Sequence, residues 1–457
     1  MTATTTQSEP SGAVYGSDLS AAELARAFRT GTYPVAVYGL GKMGLPLATV
    51  FAETTGNTIG ADVDGSVVRQ VSAGNCPVEN EPGLDEAVAD AVETRALRAV
   101  SNPSIAARQA SVHVVIVPTL VTDDDEPDLG ALRSALEDVA LGLDAGDLVC
   151  VESTVPPGTC RDVVEPLLVE KSGLDADAFG LAFCPERTAS GRALQDIRGA
   201  YPKVVGGVDD ESTRVAAAIY ETITDNDVLT VADATTAECV KVFEGVYRDV
   251  NIALANELAT LADELAVDVT EAIETANTQP YCDLHSPGPG VGGHCIPYYP
   301  YFLVRGCETG TPLLRTARDV NEGMPAVTAR KLVDRLLERP GTPTHPEVLV
   351  LGVAYRPGVA EIRESPGLAV AEHLREVGCR VTAVDPVVAD DAHDLPSVSI
   401  DDIPYESVDG VVLATAHDEF AGLDWDRFGD VAIVDGHRAL PEVPADACVS
   451  TIGRPDR

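Results

Sequence analysis

Residues 35–44 read VAVYGLGKMG, and this stretch decides the fold. Four apolar residues lead directly into a turn in which glycines recur at G-x-G-x-x-G spacing, at Gly39, Gly41 and Gly44. The next residues, LPLATVFA at 45–52, have the apolar periodicity of a helix. The order is strand, glycine turn, helix, which predicts the first unit of a parallel α/β sheet.

A second apolar strand, residues 58–61, ends in Asp62, eighteen positions after Gly44. In dinucleotide-binding units the glycines let the pyrophosphate approach a helix N-terminus, and an acidic residue placed like Asp62 accepts hydrogen bonds from the ribose hydroxyls. That carboxylate would repel a 2′-phosphate, which favours NAD over NADP. A glycine turn without a cofactor is the alternative. The strand, the helix and Asp62 together favour NAD, bound through Gly39, Gly41, Gly44 and Asp62.

The rest of the chain repeats this alternation and then interrupts it. Further apolar strands are predicted at 112–117, 147–151, 181–184 and 204–206, and polar helical stretches separate them. Between about residues 213 and 265 the strand signal disappears, and Ala, Glu and Leu recur at a spacing that predicts a long central helix. After Pro340 a second α/β pattern begins, with strands at 348–352, 380–385, 411–414 and 431–435.

The length of the chain calls for several domains. It has 457 residues, and hydrophobic cores usually stop growing at about 250 to 300 residues. We predict an α/β protein with two Rossmann-like doubly wound domains joined by a central helical domain. The predicted parts are an N-terminal extension with one short helix (1–33), a NAD-binding domain (34–211), a helical domain with a cysteine loop (212–325) and a last α/β domain (326–457).

The composition is strongly acidic. Asp and Glu number 73 against 32 Lys and Arg, which gives a formal net charge of -41. Such a surface repels phosphate backbones and anionic membranes, so we expect no nucleic-acid partner and no membrane partner. Self-repulsion at this charge destabilises a compact state in dilute buffer, and salt screens it. We therefore predict a halophilic protein of a high-salt cytoplasm.

The cysteines predict a reducing compartment and one candidate nucleophile. The chain has ten Cys, and the absence of a signal peptide and of any apolar run of about 18 residues favours free thiols in the cytoplasm. The stretch SPGPGVGG at 286–293 cannot be helical and delivers His294 and Cys295 on a closely packed loop. A buried structural cysteine is the alternative to a nucleophile. Together with His294 and Cys295, Cys282 and His285 have a spacing that resembles a zinc site. The adjacent residues His294 and Cys295 would rarely both reach one tetrahedral ion, so we expect no metal.

Short motifs follow one another along the chain from about Val35 to the C-terminus. They are GLGKMGLPL at 39–47, NEPGL at 80–84, ESTVPPGT at 152–159, CPER at 184–187, KVVGG at 203–207, AE at 237–238 with Lys241, YRDVNI at 247–252, GGHCIP at 292–297 and RESP at 363–366. In this order they resemble the UDP-glucose/GDP-mannose dehydrogenase family. The resemblance implies a NAD-dependent oxidoreductase that converts the C6 alcohol of a UDP-sugar to a carboxylate by a four-electron oxidation. It also implies that residues 326–457 bind the UDP-sugar and that the central helices form a homodimer.

The resemblance also implies roles for individual residues. Cys295 attacks the aldehyde, giving a thiohemiacetal and then a thioester. Lys241 assists deprotonation of the alcohol and stabilises the oxyanion, although an ordinary solvated lysine is the alternative. Glu186 positions or activates the hydrolytic water, and Thr154 hydrogen-bonds a catalytic water or the nicotinamide end. Implied cofactor contacts are Lys42, Met43, Thr119, Thr154 and Arg363, and implied substrate contacts are Glu186, Arg187, Lys241, Arg248, Asn251, Gly290, Gly292, Tyr355 and Arg356.

Two motifs favour one branch of this family. The loop has Gly-Gly-His-Cys, whereas the UDP-glucose and GDP-mannose branches usually carry Gly-Gly-Ser-Cys. Together with YRDVNI, this resembles the N-acetylhexosamine branch. The implied substrate is UDP-N-acetyl-D-mannosamine, oxidised to the uronate for surface polysaccharide or glycan biosynthesis. UDP-N-acetylglucosamine and UDP-glucose are the alternatives, and His294 is expected to shape the loop or form a hydrogen bond.

The chain departs from the family pattern at four positions. Gly245 stands where Asn is usual, Tyr299 where Asp is usual, Tyr281 where the branch tends to have Arg, and Arg356 where Lys is usual. Because Cys295, Lys241 and Glu186 are retained, we predict an active but diverged enzyme.

Two other functions remain open at this point. A two-electron dehydrogenase of the hydroxyacid type would share the first domain but needs no cysteine and no second α/β domain. Its product would be an aldehyde or a ketone. A catalytically silent nucleotide-sugar binding protein is suggested by the loss of Asn and Asp at positions 245 and 299, and the retained Cys295 and Lys241 argue against it.

Overall fold

The computed structural model describes residues 12–122, 124–189, 191–441, 443 and 447–456. The chain divides into two compact units, one up to Phe243 and the other from Glu244 onward. Residues 1–11 of the predicted N-terminal extension lie outside the described residues. The short helix predicted in the remainder is present as α1 (Ala21–Arg29), because Ser20 and Glu23 form a capping box at its start.

The first unit is built on a sheet with eight strands among its described residues. The strands of this unit are β1 (Val35–Tyr38), β2 (Thr58–Ala61), β3 (Leu97–Val100), β4 (Val112–Val115), β5 (Leu120–Val121), β6 (Pro127–Asp128), β7 (Leu148–Val151), β8 (Gly180–Phe183), β9 (Lys203–Gly207) and β10 (Val228–Thr230). The sheet order is β3-β2-β1-β4-β7-β8-β9-β10, and β5 and β6 form a separate antiparallel pair. Neighbouring strands in the sheet are parallel except β8 and β9.

Helices cover both faces of this sheet. They are α2 (Gly44–Thr55), α3 (Gly65–Ser72), α4 (Leu84–Glu93), α5 (Pro103–Ala107), α6 (Gly130–Ala140), α7 (Glu165–Ser172), α8 (Ala193–Gln195) and α9 (Asp210–Tyr220). Val35 and Val37 of β1 share a core with α1, α2, α4 and α9, whereas Ala36 and Tyr38 share a core with α5, α6 and α7. A strand buried on both faces is continuously apolar, which explains the unbroken run before the glycine turn.

The second unit carries a smaller sheet. Helix α10 (Ala234–Thr260) begins in the first unit and continues into the second, where α11 (Ala262–Leu265), α12 (Val269–Ala276), α13 (Tyr299–Val304), α14 (Pro312–Glu338), α15 (Pro366–Glu376) and α16 (Asp418–Ala421) follow. The strands are β11 (Glu347–Leu351), β12 (Arg380–Val384), β13 (Gly410–Leu413), β14 (Ala432–Asp435) and β15 (Cys448–Thr451). They are parallel in the order β12-β11-β13-β14-β15. Helices α14 and α15 pack on one face, and Tyr405, Trp425 and Phe428 belong to the core of the other.

The predicted fold class is confirmed: two α/β parts with mainly parallel sheets are separated in the sequence by a helical stretch. One expectation was wrong, because β10 lies inside the stretch where no strand was expected. This strand has only three residues at the sheet edge, and its Leu229 is exposed, so it lacks the apolar run that marks a strand in sequence. The sheet thus passes the predicted limit at residue 211, and the four domain limits stay a prediction. Within the described ranges, no helix is long and apolar enough to cross a membrane.

Candidate active site

The glycine turn lies at the carboxyl end of β1, where the strand order reverses between β1 and β4. Such a switch point is where open α/β sheets bind ligands. Gly39 has φ +99°, and a Cβ there would lie 2.5 Å from the carbonyl oxygen of Ile116. A Cβ at Gly44 would lie 1.9 Å from the carbonyl oxygen of Gly39, so α2 can pack this close only with glycine. Gly41 faces open space within 4 Å of its Cβ position, which leaves its backbone accessible to a phosphate.

Asp62 follows β2 at the same edge of the sheet. Its carboxylate is held by backbone amides, because Oδ2 accepts from Leu40 N at 2.7 Å and Oδ1 accepts from Asp64 N at 2.8 Å. Each oxygen keeps a second lone pair for a ribose hydroxyl. Lys42 is exposed in the turn, and Met43 Sδ accepts a hydrogen bond from Thr188 Oγ1 at 3.0 Å. These residues fit a dinucleotide.

Two threonines tie neighbouring loops together beside this turn. Thr119 Oγ1 donates to the carbonyl oxygen of Thr154, which joins the segment after β4 to the segment after β7. Ser153 strengthens the junction, since its Oγ lies 2.8 Å from both the amide and the carbonyl of Val117. Thr119 and Thr154 are therefore brought to the edge that carries Asp62, as expected for the ends of parallel strands.

Glu186 and Lys241 meet within the first unit. Lys241 Nζ lies 3.5 Å from Glu186 Oε2, and their side chains are only 9% and 16% exposed. The other Glu186 oxygen accepts the amide of Thr188, which fixes the carboxylate. An ammonium group beside a fixed carboxylate can orient a hydroxyl or a water molecule. Arg187, in contrast, donates to the carbonyl of Pro202 at 2.9 Å, so its guanidinium is partly committed to the protein.

A buried ion pair that was not predicted from the sequence supports the Glu186 loop. Lys203 Nζ lies 2.8 Å from Glu152 Oε2 and 3.2 Å from the carbonyl oxygen of Pro185, while Tyr220 OH donates to Glu152 Oε1. Burial raises the pKa of the Glu152 carboxyl, and Lys203 opposes that rise. Glu152, Lys203, Tyr220 and Glu186 are among the residues that line a pocket in this unit. The only signal in the sequence was that Glu152 and Lys203 lie inside recognised motifs.

In the second unit, Cys295 lies on a loop packed against the segment after β11. The Gly293 amide donates to the carbonyl oxygen of Arg363 at 2.9 Å. A Cβ at Gly292 would lie 2.5 Å from the carbonyl oxygen of Glu364, and one at Gly293 would lie 2.8 Å from the Tyr355 ring. The glycines before Cys295 are thus required by close packing. Cys295 itself is exposed.

Two of the departures from the family pattern form one steric pair. The carbonyl oxygen of Cys295 accepts the amides of Tyr298 at 3.2 Å and Tyr299 at 3.0 Å, which starts α13. The Tyr299 ring is buried against α10, where a Cβ at Gly245 would lie 2.0 Å from Tyr299 Cδ2. A larger residue at position 245 is therefore incompatible with this ring position. The replacements at 245 and 299 depend on each other.

The other residues assigned to substrate have different surroundings in this unit. Asn251 is committed to a loop, because its amide donates to Asp283 O at 2.8 Å and accepts from His285 N at 3.1 Å. Arg248 is exposed, and Arg356 lies 5.8 Å from the Tyr355 ring centroid. Gly290 packs against Pro366, which its Cβ would approach to 3.1 Å.

The assigned residues therefore fall into two groups that belong to different compact units. The first unit brings together Gly39, Gly41, Gly44, Asp62, Thr119, Thr154, Glu186 and Lys241. The second unit brings Cys295, Gly290, Gly292, Tyr355 and Arg363 together. In the same unit, the side-chain amide of Asn251 forms hydrogen bonds with the loop backbone at Asp283 and His285. In the part of the chain that the structure describes, no cluster of three His, Cys, Asp or Glu side chains could hold a metal ion.

Comparisons with known proteins cover nearly all of the chain. Three domain models of the UDP-glucose/GDP-mannose dehydrogenase family match: the NAD binding domain at residues 33–224, the central domain at 235–323 and the UDP binding domain at 349–442. UDP-N-acetyl-D-mannosamine dehydrogenase of Pyrococcus horikoshii is 36% identical over 430 residues, 92% of this chain and 99% of that protein. The solved structure of UDP-D-ManNAc dehydrogenase from that organism has a TM-score of 0.85 at 35% identity, covering 93% of this chain and all of that one. NDP-N-acetyl-D-galactosaminuronic acid dehydrogenase of Ralstonia nicotianae is 33% identical over 419 residues, 89% of this chain and 95% of that protein.

Proposed function

We propose a four-electron oxidation for this chain, which belongs to the UDP-glucose/GDP-mannose dehydrogenase family. The NAD cofactor and the dehydrogenase class predicted from the sequence are thereby confirmed. The reaction we propose converts the C6 alcohol of a UDP-sugar to a carboxylate and consumes two NAD⁺ and one water. The proposed sugar is N-acetyl-D-mannosamine, the sugar named for the Pyrococcus horikoshii relative.

The residues divide the proposed reaction between them. The Gly39 turn and Asp62 would hold NAD⁺, which would supply the hydride acceptor for each of the two oxidations at C6. Lys241 holds the C6 oxygen as it loses its proton and stabilises the oxyanion that forms when a thiolate adds to the aldehyde. Cys295 supplies that thiolate, and its sulfur stays bonded to C6 from the thiohemiacetal to the thioester. Glu186 orients the water that breaks the thioester, which releases the carboxylate and restores the thiol.

The exposure of Cys295 is the observation that carries the covalent step. All ten cysteines lie among the described residues, none of them forms a disulfide, and of these ten only Cys295 and Cys307 are exposed. Burial raises the pKa of Cys160 and Cys379, and a hydrogen bond with Cys184 together with burial raises the pKa of Cys150, which makes those thiols inert. Cys295 differs from Cys307 in that its carbonyl is held by two backbone amides and its loop by glycine packing. A fixed, accessible thiol suits a nucleophile.

The test counts NADH per sugar in molar salt for UDP-N-acetylmannosamine, UDP-N-acetylglucosamine, UDP-N-acetylgalactosamine, UDP-glucose and GDP-mannose. We expect two NADH per sugar with UDP-N-acetylmannosamine. Cys295→Ala should stop at the aldehyde, and Cys307→Ala, which removes the other exposed thiol, should behave as wild type. One NADH per sugar in the wild type, unaffected by Cys295→Ala, would leave a two-electron dehydrogenase. NAD binding without turnover of any sugar would favour the silent binding protein.

We also propose that the active form is a homodimer assembled through α10. Support comes from Tyr247 and Leu254 on α10, which lie seven residues apart and are exposed by 51% and 46%, and from Leu261 seven residues further on, at the start of α11, which is exposed by 37%. A seven-residue repeat keeps apolar side chains on one face of a helix. Leu254→Glu should convert the dimer to a monomer in sedimentation experiments, and an unchanged mass would contradict the assignment of this face.

The proposed setting is a high-salt cytoplasm, where the product would serve surface polysaccharide or glycan biosynthesis. The formal net charge of -41 supports the high-salt setting. A nucleotide-activated uronic acid is a typical building block for surface polysaccharides and glycans.

A further inference from the structure

Glu361 lies between β11 and α15, and no role was assigned to it from the sequence. Its Oε1 lies against His294 Nε2, which is an ion pair when the imidazole is protonated, and Arg363 Nε lies 4.0 Å from the same oxygen. The Glu361 side chain is 19% exposed, against 41% for His294 and 38% for Arg363. One carboxylate oxygen thus faces both the residue before Cys295 and the arginine assigned to the cofactor.

The backbone around Glu361 fixes this carboxylate. Its carbonyl oxygen accepts the amide of Tyr355 at 2.9 Å, and its amide donates to the carbonyl of Val359 at 2.8 Å. Two residues later, the Arg363 carbonyl accepts the amide of Gly293. The segment therefore contacts two consecutive residues immediately before Cys295, one through a side chain and one through the backbone.

A glycine-rich loop needs such contacts to have one conformation. Glycine has the largest backbone entropy, so the run before Cys295 orders only if external contacts fix it. The Gly293 contact fixes the backbone but not the direction of the following residues. The His294 ion pair adds the second fixed point, directly beside the nucleophile.

We propose that Glu361 is a positioning residue that holds His294 and Arg363 and thereby fixes the thiol of Cys295 relative to the arginine. The proposal rests on the function proposed above, in which Cys295 attacks the aldehyde and Arg363 contacts the cofactor. A partly exposed ion pair contributes little to folding stability, about 1 kcal/mol or less. The effect of Glu361 is therefore expected on the reaction and not on the unfolding temperature.

The distinguishing measurement is escape of the aldehyde. If the thiol is misplaced, the first oxidation proceeds but capture of the aldehyde slows, so semicarbazide traps free aldehyde and fewer than two NADH form per sugar. We expect Glu361→Gln to lower kcat about a hundredfold, as a small misplacement of a reacting group does. It should also raise KM for NAD⁺ through Arg363 and leave KM for the UDP-sugar within about twofold. His294→Gln should release aldehyde without changing KM for NAD⁺.

A matched control is available in the same unit. Glu376 makes another partly exposed contact with a histidine on α15, since its Oε2 lies 3.3 Å from His373 Nδ1. Glu376→Gln makes the same chemical change and should behave as wild type. Glu361→Asp should recover part of the activity, and the His294→Gln/Glu361→Gln double variant should release no more aldehyde than Glu361→Gln alone.

Each result decides between the two proposals. If Cys295→Ala still forms two NADH per sugar, the proposed function fails and the role of Glu361 fails with it. If Cys295→Ala stops at the aldehyde while Glu361→Gln equals Glu376→Gln, only the positioning role is overturned. Losses that multiply in the double variant would also overturn it. If Glu361→Gln does not fold, His294→Gln replaces it in the test, because it removes the same contact by changing the more exposed partner.

Discussion

The glycines after β1 and the glycines before Cys295 solve the same packing problem over different distances along the chain. A Cβ at Gly44 would strike the carbonyl oxygen of Gly39, a neighbour within the same motif. A Cβ at Gly292 would strike the carbonyl oxygen of Glu364, which belongs to a distant segment. The first glycine is required by local geometry and the second by tertiary packing. The comparison teaches that a glycine motif is interpretable from sequence only when both sides of the close contact lie inside it.

Removal of salt should unfold the protein and so disrupt both glycine regions at once. This is the largest effect that we expect. With a formal net charge of -41, repulsion within each folded unit is screened in molar KCl and unscreened in dilute buffer. We expect loss of folded structure on dialysis into dilute buffer, measured by circular dichroism, with recovery when KCl is restored. An unfolding temperature independent of KCl would contradict the halophilic prediction.

Gly44→Ala should disrupt the glycine turn after β1 and leave the loop before Cys295 intact. Its Cβ would lie 1.9 Å from backbone that cannot move aside, so overpacking should lower the free energy of unfolding by about 3 kcal/mol and abolish NAD binding. The measurements are thermal unfolding and calorimetric titration with NAD⁺. Gly41→Ala is the control, because its Cβ position is open: it should unfold as wild type yet bind NAD⁺ more weakly, since the methyl group occupies the path of the phosphate. Equal unfolding temperatures for the two variants would contradict this division of roles.

Gly245→Ala should show that a contact with a side chain is easier to relieve than one with backbone. We expect a loss of about 1 to 2 kcal/mol, because the Tyr299 ring must move. In a Tyr299→Ala background the clash is absent, and the same change should stabilise the helix by up to about 1 kcal/mol, the difference in helix propensity. Denaturant unfolding of the four proteins measures this reversal. A Gly245→Ala effect of the same sign in both backgrounds would show that the two positions are independent.

Gly292→Ala should have the smallest effect on stability and a clear effect on the reaction. Gly292 is half-buried and lies outside any helix or strand, so its loop can shift without breaking a helix or sheet at a cost of about 1 kcal/mol, but Cys295 moves with it. We expect kcat to fall about tenfold or more while calorimetric titration finds NAD⁺ affinity nearly unchanged, the opposite of Gly41→Ala. A selective loss of NAD⁺ affinity would place the loop in cofactor binding instead.

The sequence predicted the elements whose causes are local. The glycine turn, Asp62 after β2 and the second α/β pattern were identified because each depends on residues close together in the chain. The three-residue strand β10 was missed because its pairing with β9, and not its own apolar pattern, makes it a strand. The Glu152 and Lys203 ion pair was also missed, since β7 and β9 are brought into one sheet by the fold alone.

The sequence by itself determined the α/β class, the NAD cofactor and the family, because ordered motifs and strand and helix periodicity are properties of the linear chain. Only the tertiary structure decided which residues touch. It joined Gly245 to Tyr299, made the glycines before Cys295 a packing requirement, and placed Glu361 between His294 and Arg363. The physical reason is that such contacts are a few ångströms long and join segments far apart in the chain. Burial, close packing and ion pairing therefore act on them only after the chain has folded.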